Sequence, residues 1–424
     1  MEENKSKTNN NPKLKNNIKI VNAIRDNLIK IKTSTNIDYD LDFNLLNKYI
    51  KDKELIGLGE ATHGTKEFQN IRTSIISHLV EKIGFRTIVL EESYAYCLRI
   101  NSYILDGEGT AEEAVSEGLC FPWVFKTQET VALVKWMREY NIKADENSRV
   151  RFYGMDIQGS EKTIEVIDFY IRKMNFENYN MIKVDLDFCN EKVNKTKYKS
   201  LKEKISKIEE YFRNNKNNFI KNSSKREYSE VYHCIEVYRG WIECARETTF
   251  NIRDKFMYEN TKWIIENEKK YNEGKVIIIG HNDHISKGIS TNMGEDRQLG
   301  YWLHNEYKEK YYNIGFEFSR GLFYSKDINS YELKVFEVDK TIKKDLAARL
   351  FEETGISMFY LDLNTSSNES LSLKNFITKT NRYNSIGAIY DDKADDWGID
   401  DIILGEMYDA ILYMKDSNNT SLLK

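Results

Sequence analysis

Short apolar runs, separated by segments with helical spacing, are the feature that most limits how this chain can fold. Such alternation is typical of strand–helix–strand units that build a parallel sheet. Mostly apolar strands are expected where helices cover both faces of the sheet. The sequence therefore predicts an α/β fold with a largely parallel central sheet flanked by helices. The predicted strands are Lys53–Leu58, Thr87–Leu90, Val150–Tyr153, Val276–Ile279, Ile314–Phe318, Met358–Leu361 and Ile386–Ile389.

The segment 190–272 differs from the rest of the chain because it is rich in Lys, Glu and Tyr and has apolar residues at helical spacing. We interpret it as a helical insertion, either a packing element or one wall of a substrate cleft. It divides the predicted α/β halves, 18–189 and 273–415. The polar ends, 1–17 and 416–424, are expected to be frayed tails.

Composition excludes several classes of partner. The formal net charge of −4 provides no positive field for nucleic acid or anionic lipid. Five scattered cysteines form no CxxC pair, which favours a reducing compartment. No apolar stretch approaches the roughly 20 residues that cross a bilayer, and the first seventeen residues lack a secretory signal. We therefore expect a cytoplasmic protein with a small-molecule ligand.

The segment Leu55-Ile-Gly-Leu-Gly-Glu-Ala-Thr-His-Gly-Thr-Lys-Glu-Phe68 is the first candidate site. It places Glu60 and His63 in a glycine-containing turn directly after a predicted strand. Ligands bind at the carboxyl ends of strands in open α/β sheets. A carboxylate and an imidazole at this position are therefore expected to face a crevice.

A second turn repeats this context, because the strand Val276–Ile279 runs into a glycine and then His281 and His284. Two further predicted strands end in carboxylates. Parallel strands bring their carboxyl ends to one edge of the sheet, so these side chains are expected to converge. The carboxylates concerned are Glu91, Glu92 and Asp156.

These motifs, GEATHGTKEF with Arg72 nine residues past His63, then LEES, GMD and GHNDH in that order, resemble the erythromycin esterase family, often labelled succinoglycan biosynthesis proteins. The resemblance runs from about Glu54 to Met414. It implies an α/β fold with a helical hairpin over a deep cleft. It also implies hydrolysis of a macrolide lactone without a covalent serine intermediate, with His63 as general base. The remaining site residues that it implies are Glu60, Arg72, Glu91, and either His281 or His284.

The physical chemistry of ester hydrolysis agrees with these assignments. An imidazole titrating near pH 6.5 is well matched to removing a proton from water. Glu60 or Glu91 is expected to orient His63, and Arg72 or a later histidine to stabilise the oxyanion. The roles of general base, orienting carboxylate and oxyanion donor are each predictions.

Three other candidate residues each allow two interpretations. Glu92 and Asp156 are either substrate-binding groups or capping and salt-bridging carboxylates. Trp123 either lines a substrate cavity or packs in the core.

Two other functions remain open. A metal-dependent hydrolase is the first, because the histidines and carboxylates include ligand types that zinc or manganese takes. We nevertheless expect no cofactor. A ligand-binding protein without turnover, associated with polysaccharide synthesis, is the second. GxSxG, P-loop and HExxH motifs are absent from the sequence.

Overall fold

The computed structural model describes residues 12–33, 39–41, 43–174, 179–190, 197–246, 250–289, 296–339, 346–364 and 370–423. The chain is a mixed α/β protein with a mostly parallel central sheet flanked by helices, which confirms the predicted fold class. None of the described helices combines the length and the apolar character that crossing a bilayer requires.

The chain divides into two units, each assembled from non-consecutive segments: the first comprises 1–86, 123–133 and 272–424, and the second 87–122 and 134–271. The predicted boundaries, in contrast, cut the chain consecutively. The helices of the first unit are α1 (Pro12–Asn27), α2 (Phe43–Ile50), α3 (Lys66–His78), α13 (Asn282–Ile285), α14 (Leu299–Tyr307), α15 (Ala347–Glu352), α16 (Leu371–Ile377) and α17 (Leu404–Met407).

The second unit contains most of the long helices. Helix α6 (Gln128–Lys143) begins among residues of the first unit and continues in the second. The other helices are α4 (Tyr94–Asn101), α5 (Ala111–Gly118), α7 (Ser160–Lys173), α8 (Tyr179–Asn190), α9 (Tyr198–Asn214), α10 (Lys216–Asn222), α11 (Lys225–Arg246) and α12 (Phe250–Glu268).

The strands of the first unit follow the order β2-β1-β9-β13-β7-β3-β6, with β8 and β11 also paired to β7, and β10 paired with β12. Strand β3 runs parallel to both β6 and β7, and β13 runs parallel to β7. Their bounds are β1 (Ile29–Thr33), β2 (Tyr39–Leu41), β3 (Leu55–Leu58), β6 (Val276–Ile279), β7 (Tyr311–Asp327), β8 (Leu333–Asp339), β9 (Met358–Asp362), β10 (Thr380–Asn384), β11 (Ile389–Tyr390), β12 (Ile399–Ile403) and β13 (Ala410–Ser417).

In the second unit, β4 (Thr87–Ser93) pairs in parallel with β5 (Arg151–Asp156). All residues of β3, β4 and β6 are buried, as expected for strands that are covered on both faces. These short apolar strands end where polar side chains begin, which places the functional groups at the strand ends.

Most predicted strands are present, with two differences. The run predicted at Ile386–Ile389 forms only the short strand β11, because Ile386 instead bridges to Thr62 in the turn after β3. Strand β7 extends far beyond the predicted Phe318, since its second half pairs with β8.

The predicted tails, 1–17 and 416–424, fall only in part within the described residues, because 1–11 and 424 lie outside them. Residues 12–17 lie in helix α1. At the other end, Asn419 bridges to Thr65, and Leu422 bridges to Thr127. Backbone pairing therefore orders the segment after β13 in spite of its polar sequence.

Candidate active site

The turn after β3 brings Glu60 and His63 to the carboxyl end of that strand, as predicted. Gly59 is required here because a Cβ at this position would lie 2.2 Å from the side-chain oxygen of Asn282. Gly64 is required because a Cβ there would lie 2.3 Å from the backbone oxygen of Tyr324 in β7. The two glycines allow the turn to pack directly against neighbouring backbone and side chains.

Glu60 joins a histidine and an arginine through its two carboxylate oxygens. The Nδ1 atom of His63 lies 2.7 Å from Oε1, and the Nη2 atom of Arg72 lies 2.6 Å from Oε2. Arg72 comes from helix α3, which begins directly after the turn. All three side chains are buried, with Glu60 0% and Arg72 3% exposed. The predicted group of Glu60, His63 and Arg72 is thus present as one hydrogen-bonded unit.

The charge on Glu60 is fixed by its partners. Burial alone would raise the pKa of this carboxyl, but the Arg72 guanidinium and the hydrogen bond and charge of His63 lower it below its ordinary value. An ionised carboxylate only accepts hydrogen bonds, so Nδ1 of His63 must carry the proton that it donates. The lone pair of the imidazole is therefore on Nε2.

The second predicted turn lies beside the first. The backbone N–H of Asn282 donates to the Glu60 carbonyl at 2.9 Å. The side-chain amide of Asn282 also bonds to β7, donating to the Phe316 carbonyl and accepting from the Phe316 N–H. These bonds place the ring of His281 with its centroid 5.1 Å from that of His63.

Both ring nitrogens of His281 have partners within the protein. Its Nε2 atom lies 3.2 Å from the Ile386 carbonyl oxygen, and its Nδ1 atom lies 3.3 Å from both the backbone nitrogen and a carboxylate oxygen of Asp283. The proton is therefore on Nε2, which donates to the carbonyl. Nδ1 accepts from the Asp283 N–H when the ring is neutral, and donates to the Asp283 carboxylate when the ring is charged.

Asp283 is itself held by Ser385, whose hydroxyl lies 2.7 and 2.9 Å from the two carboxylate oxygens. Burial would raise the pKa of Asp283, but His281 and the Ser385 hydrogen bond lower it. Asp283 is thus an ionised group that fixes one face of the second turn.

Two further predicted residues, Trp123 and His284, lie in the first of the two structural units. Trp123 is 5% exposed, and its ring lies edge-on to His63 with a centroid separation of 6.2 Å. Its indole forms one apolar side of the space around the imidazole. His284 is half-buried in the short helix α13, one turn after His281.

In the second unit, Glu91 and Asp156 are brought together by an arginine that we did not predict. Arg253 in α12 lies 3.1 Å from Glu91 and 2.7 Å from Asp156. The other oxygen of Asp156 accepts from the backbone N–H groups of Ile157 and Gln158. Both oxygens of Asp156 therefore bond to groups of the protein, and the geometry matches the salt-bridging interpretation of this residue.

Glu92, at the end of β4, points into the second unit and is completely buried. Its two carboxylate oxygens accept from the backbone N–H groups of Ser93 and Phe121. Burial outweighs these bonds and raises the pKa of Glu92 to about 7. The geometry matches the capping interpretation of this residue.

The sequence did not identify Asp283, Ser385 or Arg253 as site residues. Asp283 stands within the GHNDH motif, so its position between two histidines was an available signal. Ser385 and Arg253 carry no local pattern, because only the fold brings them to their partners. Among the residues that the structure describes, no three histidine, cysteine or acidic side chains are grouped so that they could hold a metal ion.

The fold and this group define an α/β protein with a buried histidine–carboxylate–arginine site at the carboxyl end of a parallel strand. The family model for erythromycin esterase matches residues 80–417, which is well over half of the chain. The chain therefore belongs to the erythromycin esterase family. Glu60, His63 and Arg72 lie ahead of the matched residues.

A relative of known name and solved structures of similar fold accompany this match. Erythromycin esterase type II from Escherichia coli is 24% identical over 293 residues, which cover 62% of this chain and 68% of the relative. A Bacillus cereus protein of known structure has a TM-score of 0.81 at 23% identity, covering 96% of this chain and 99% of its own. A mutant of the erythromycin esterase EreC in its open conformation has a TM-score of 0.67 at 16% identity, covering 94% and 99%.

Proposed function

We propose that this protein is an ester hydrolase in which His63 activates water for direct attack on the ester carbonyl. The observation that carries the proposal is the Glu60 carboxylate, which hydrogen-bonds to His63 through one oxygen and to Arg72 through the other. This arrangement supplies a base, an orienting group and a fixed positive charge within one buried cluster.

The first step uses the free nitrogen of His63. Because Nδ1 donates to Glu60, the lone pair on Nε2 is available to accept a proton from water as its oxygen bonds to the carbonyl carbon. The ring becomes an imidazolium, and the adjacent ionised carboxylate stabilises that charge. A tetrahedral intermediate forms without any bond between substrate and protein.

The oxyanion needs a hydrogen-bond donor, and Arg72 is our candidate. Its Nη1 atom is buried and has no hydrogen-bond partner among the described residues, whereas Nη2 is bonded to Glu60. A preorganised donor of this kind typically contributes a factor of roughly 10² to 10³ in turnover. His281 is less suitable in this conformation, because Nε2 bonds to the Ile386 carbonyl.

Collapse of the intermediate completes the reaction. The carbonyl re-forms, the bond from the acyl carbon to the leaving oxygen breaks, and the proton held on Nε2 of His63 passes to that oxygen. The products are a carboxylic acid and an alcohol, joined in one molecule if the substrate is a lactone. No cofactor takes part in this proposed sequence.

For the substrate, we propose a macrolide lactone or a related ester, because two of the relatives and one structural neighbour are named erythromycin esterases. Trp123 beside His63 provides an apolar surface that suits such a ligand. We propose a cytoplasmic location, since the five cysteines, all within the described residues, form no disulfide, as expected in a reducing compartment.

The test is hydrolysis of a panel of 14- and 16-membered macrolides and simple aryl esters, followed by mass spectrometry for addition of water. His63→Ala should reduce turnover by a factor of about 10² to 10⁴. His78→Ala is the matched control, because His78 lies in the same unit, at the end of α3, and its ring bonds to Asn47 of α2. Turnover that is equal in the two variants would overturn the proposal.

Two alternatives give different results in the same experiment. A metal-dependent hydrolase would lose activity with a chelator and regain it with zinc or manganese. A binding protein would retain macrolide affinity and show no turnover in any variant.

A further inference from the structure

A cavity lies at the amino-terminal end of the parallel strands β3, β7 and β13. It has a volume of about 350 Å³ and is lined by residues that precede or begin these strands, among them Lys53 before β3, Tyr312 in β7 and Asp409 before β13. Glu60 and His63 instead follow the carboxyl end of β3. The cavity is thus separate from the histidine group, and its volume lies within the range of small-molecule sites.

The acidic residues of this cavity are largely engaged by the protein. Asp409 accepts from Lys287 at 2.6 Å, from the Asn364 amide at 2.8 Å and from a backbone N–H. Asp362 accepts from the hydroxyl of Tyr312 at 2.7 Å. These bonds form a fixed polar wall whose negative charges are already balanced or hydrogen-bonded.

Three of the basic residues of the cavity, in contrast, form no ion pair within the described residues. Lys48, Lys53 and Lys308 line it, and within the described ranges none of them has a carboxylate at ion-pair distance. The Lys53 ammonium donates to the Glu309 carbonyl and lies 5.6 Å from the centre of the Tyr312 ring. The lining thus carries four lysines, with Lys287 as the fourth, and three acidic residues, Asp362, Asp409 and Glu309. Among the described residues of the lining, Lys287 and Asp409 form an ion pair, and the lysines exceed the carboxylates by one positive charge.

Lys308 adds an independent observation. It follows helix α14 with φ 50° and ψ −127°, a conformation that glycine adopts readily and other residues rarely do. In the described part of the chain, only Lys308 and Tyr331 are non-glycine residues with positive φ. Glycine is the usual residue just after a helix end, so a lysine here indicates a requirement for its side chain.

We propose that this cavity binds a small molecule with a doubly charged anionic group, a phosphate monoester or a dicarboxylate, held by Lys48, Lys53 and Lys308. The ammonium groups supply the charge, and the wall formed by Asp409 and its partners fixes the shape. This proposal is independent of the proposed esterase function.

Calorimetric titration of the full chain with inorganic phosphate, and separately with succinate, at low ionic strength tests the proposal. Lys308→Gly removes one of the ammonium groups that would contact the bound dianion, which should weaken binding by roughly tenfold or more. The same variant should remain folded, because glycine is favoured in this backbone conformation. Lys53→Met should weaken binding similarly.

Matched controls separate this site from general surface charge and from relief of strain. Lys310→Met removes a neighbouring ammonium group that pairs with Glu54 and does not line the cavity, and it should leave the affinity unchanged. Tyr331→Gly relieves the other positive φ in the exposed β7–β8 turn and should also leave it unchanged.

Three results would overturn the proposal. The first is no binding of either anion up to about 10 mM, far above the micromolar range of typical specific ligands. The second is equal weakening by Lys308→Gly and Lys310→Met. The third is binding that persists in Lys308→Gly but disappears in His63→Ala, which would place the anion at the histidine group.

Discussion

Replacing Glu60 by glutamine should prevent His63 from acting as a base, although the histidine itself is still present. A glutamine has one acceptor oxygen and one donor amide, whereas Glu60 now accepts from both His63 and Arg72. The Arg72 guanidinium has no acceptor atom and can only donate, so it takes the amide oxygen. The amide nitrogen then faces Nδ1 of His63, which must become an acceptor. The proton moves to Nε2, and the lone pair that should receive the proton from water is lost.

The size of this effect follows from the tautomer. The corresponding carboxylate-to-amide change in a serine–histidine–aspartate triad reduces kcat about 10⁴-fold. We expect a fall of about 10³ to 10⁴ in kcat for Glu60→Gln, equivalent to roughly 4 to 5.5 kcal/mol in the activation barrier. The free energy of unfolding should also fall by about 3 kcal/mol or more, because the buried Arg72 charge is left unbalanced.

The assay is steady-state hydrolysis of the best ester from the panel, with urea unfolding of the same samples to verify that the variant is folded. Glu67→Gln is the matched control: Glu67 lies on α3, the helix that carries Arg72, and its partly exposed carboxylate binds Asn418. It should keep the kcat of the unmodified protein.

A double variant distinguishes the tautomer argument from simple loss of charge. Arg72→Met alone should reduce kcat by roughly 10² to 10³, through loss of the oxyanion donor. In Glu60→Gln with Arg72→Met, the amide oxygen is free to rotate towards His63, so kcat should resemble that of Arg72→Met. Effects of the two substitutions that simply multiply, or a folded Glu60→Gln with more than a tenth of the original kcat, would refute the reasoning.

Three other substitutions test the structure around the site. Because the folded pKa of Glu92 is about 7, above its ordinary 4.5, its stabilising effect is complete below about pH 4.5 and lost as pH rises through 7. In urea unfolding, the free energy of unfolding should therefore fall by about 3 kcal/mol between about pH 4.5 and 7, and Glu92→Gln should not show this fall. Ser385→Ala should lower the free energy of unfolding by roughly 1.5 to 3 kcal/mol at pH 7, through the lost bond to Asp283. The difference in unfolding free energy between Ser385→Ala and the unmodified protein should shrink below about pH 4. The reason is that the lowered pKa of Asp283 stabilises the folded protein only above the pKa of the unfolded chain. An unchanged difference in acid would contradict this prediction. Gly64→Ala should destabilise by about 2 kcal/mol or more, since the added Cβ meets the β7 backbone, whereas Gly387→Ala, with open space around it, should be nearly neutral in the same assay.

The core of the candidate site could be predicted because its signals are local. Glu60 and His63 stand three positions apart in one turn, and Arg72 follows on the next helix. His281 could be associated with them because parallel strands end at one edge of a sheet. The hydrogen bond between His63 and Glu60 and the ring separation of 5.1 Å between the two histidines agree with that expectation.

Other contacts could not be derived from the sequence. Ser385 reaches Asp283 from a loop after β10, and Arg253 reaches Asp156 from a long helix with no distinguishing pattern. The second half of β7 was also missed, because partly exposed residues replace the continuous apolar pattern after Phe318. Pairing with β8, a long-range interaction, stabilises it as a strand.

The main-chain bonds that join the turns around His63 have a consequence for folding kinetics. The Glu60 carbonyl is bonded to residue 282, and the Ala61 carbonyl to residue 386. Contacts between such distant parts of a chain form late, because the entropy of closing long loops must be overcome first. In refolding experiments, catalytic activity should therefore return with the slowest phase, after most of the helical circular dichroism signal has recovered.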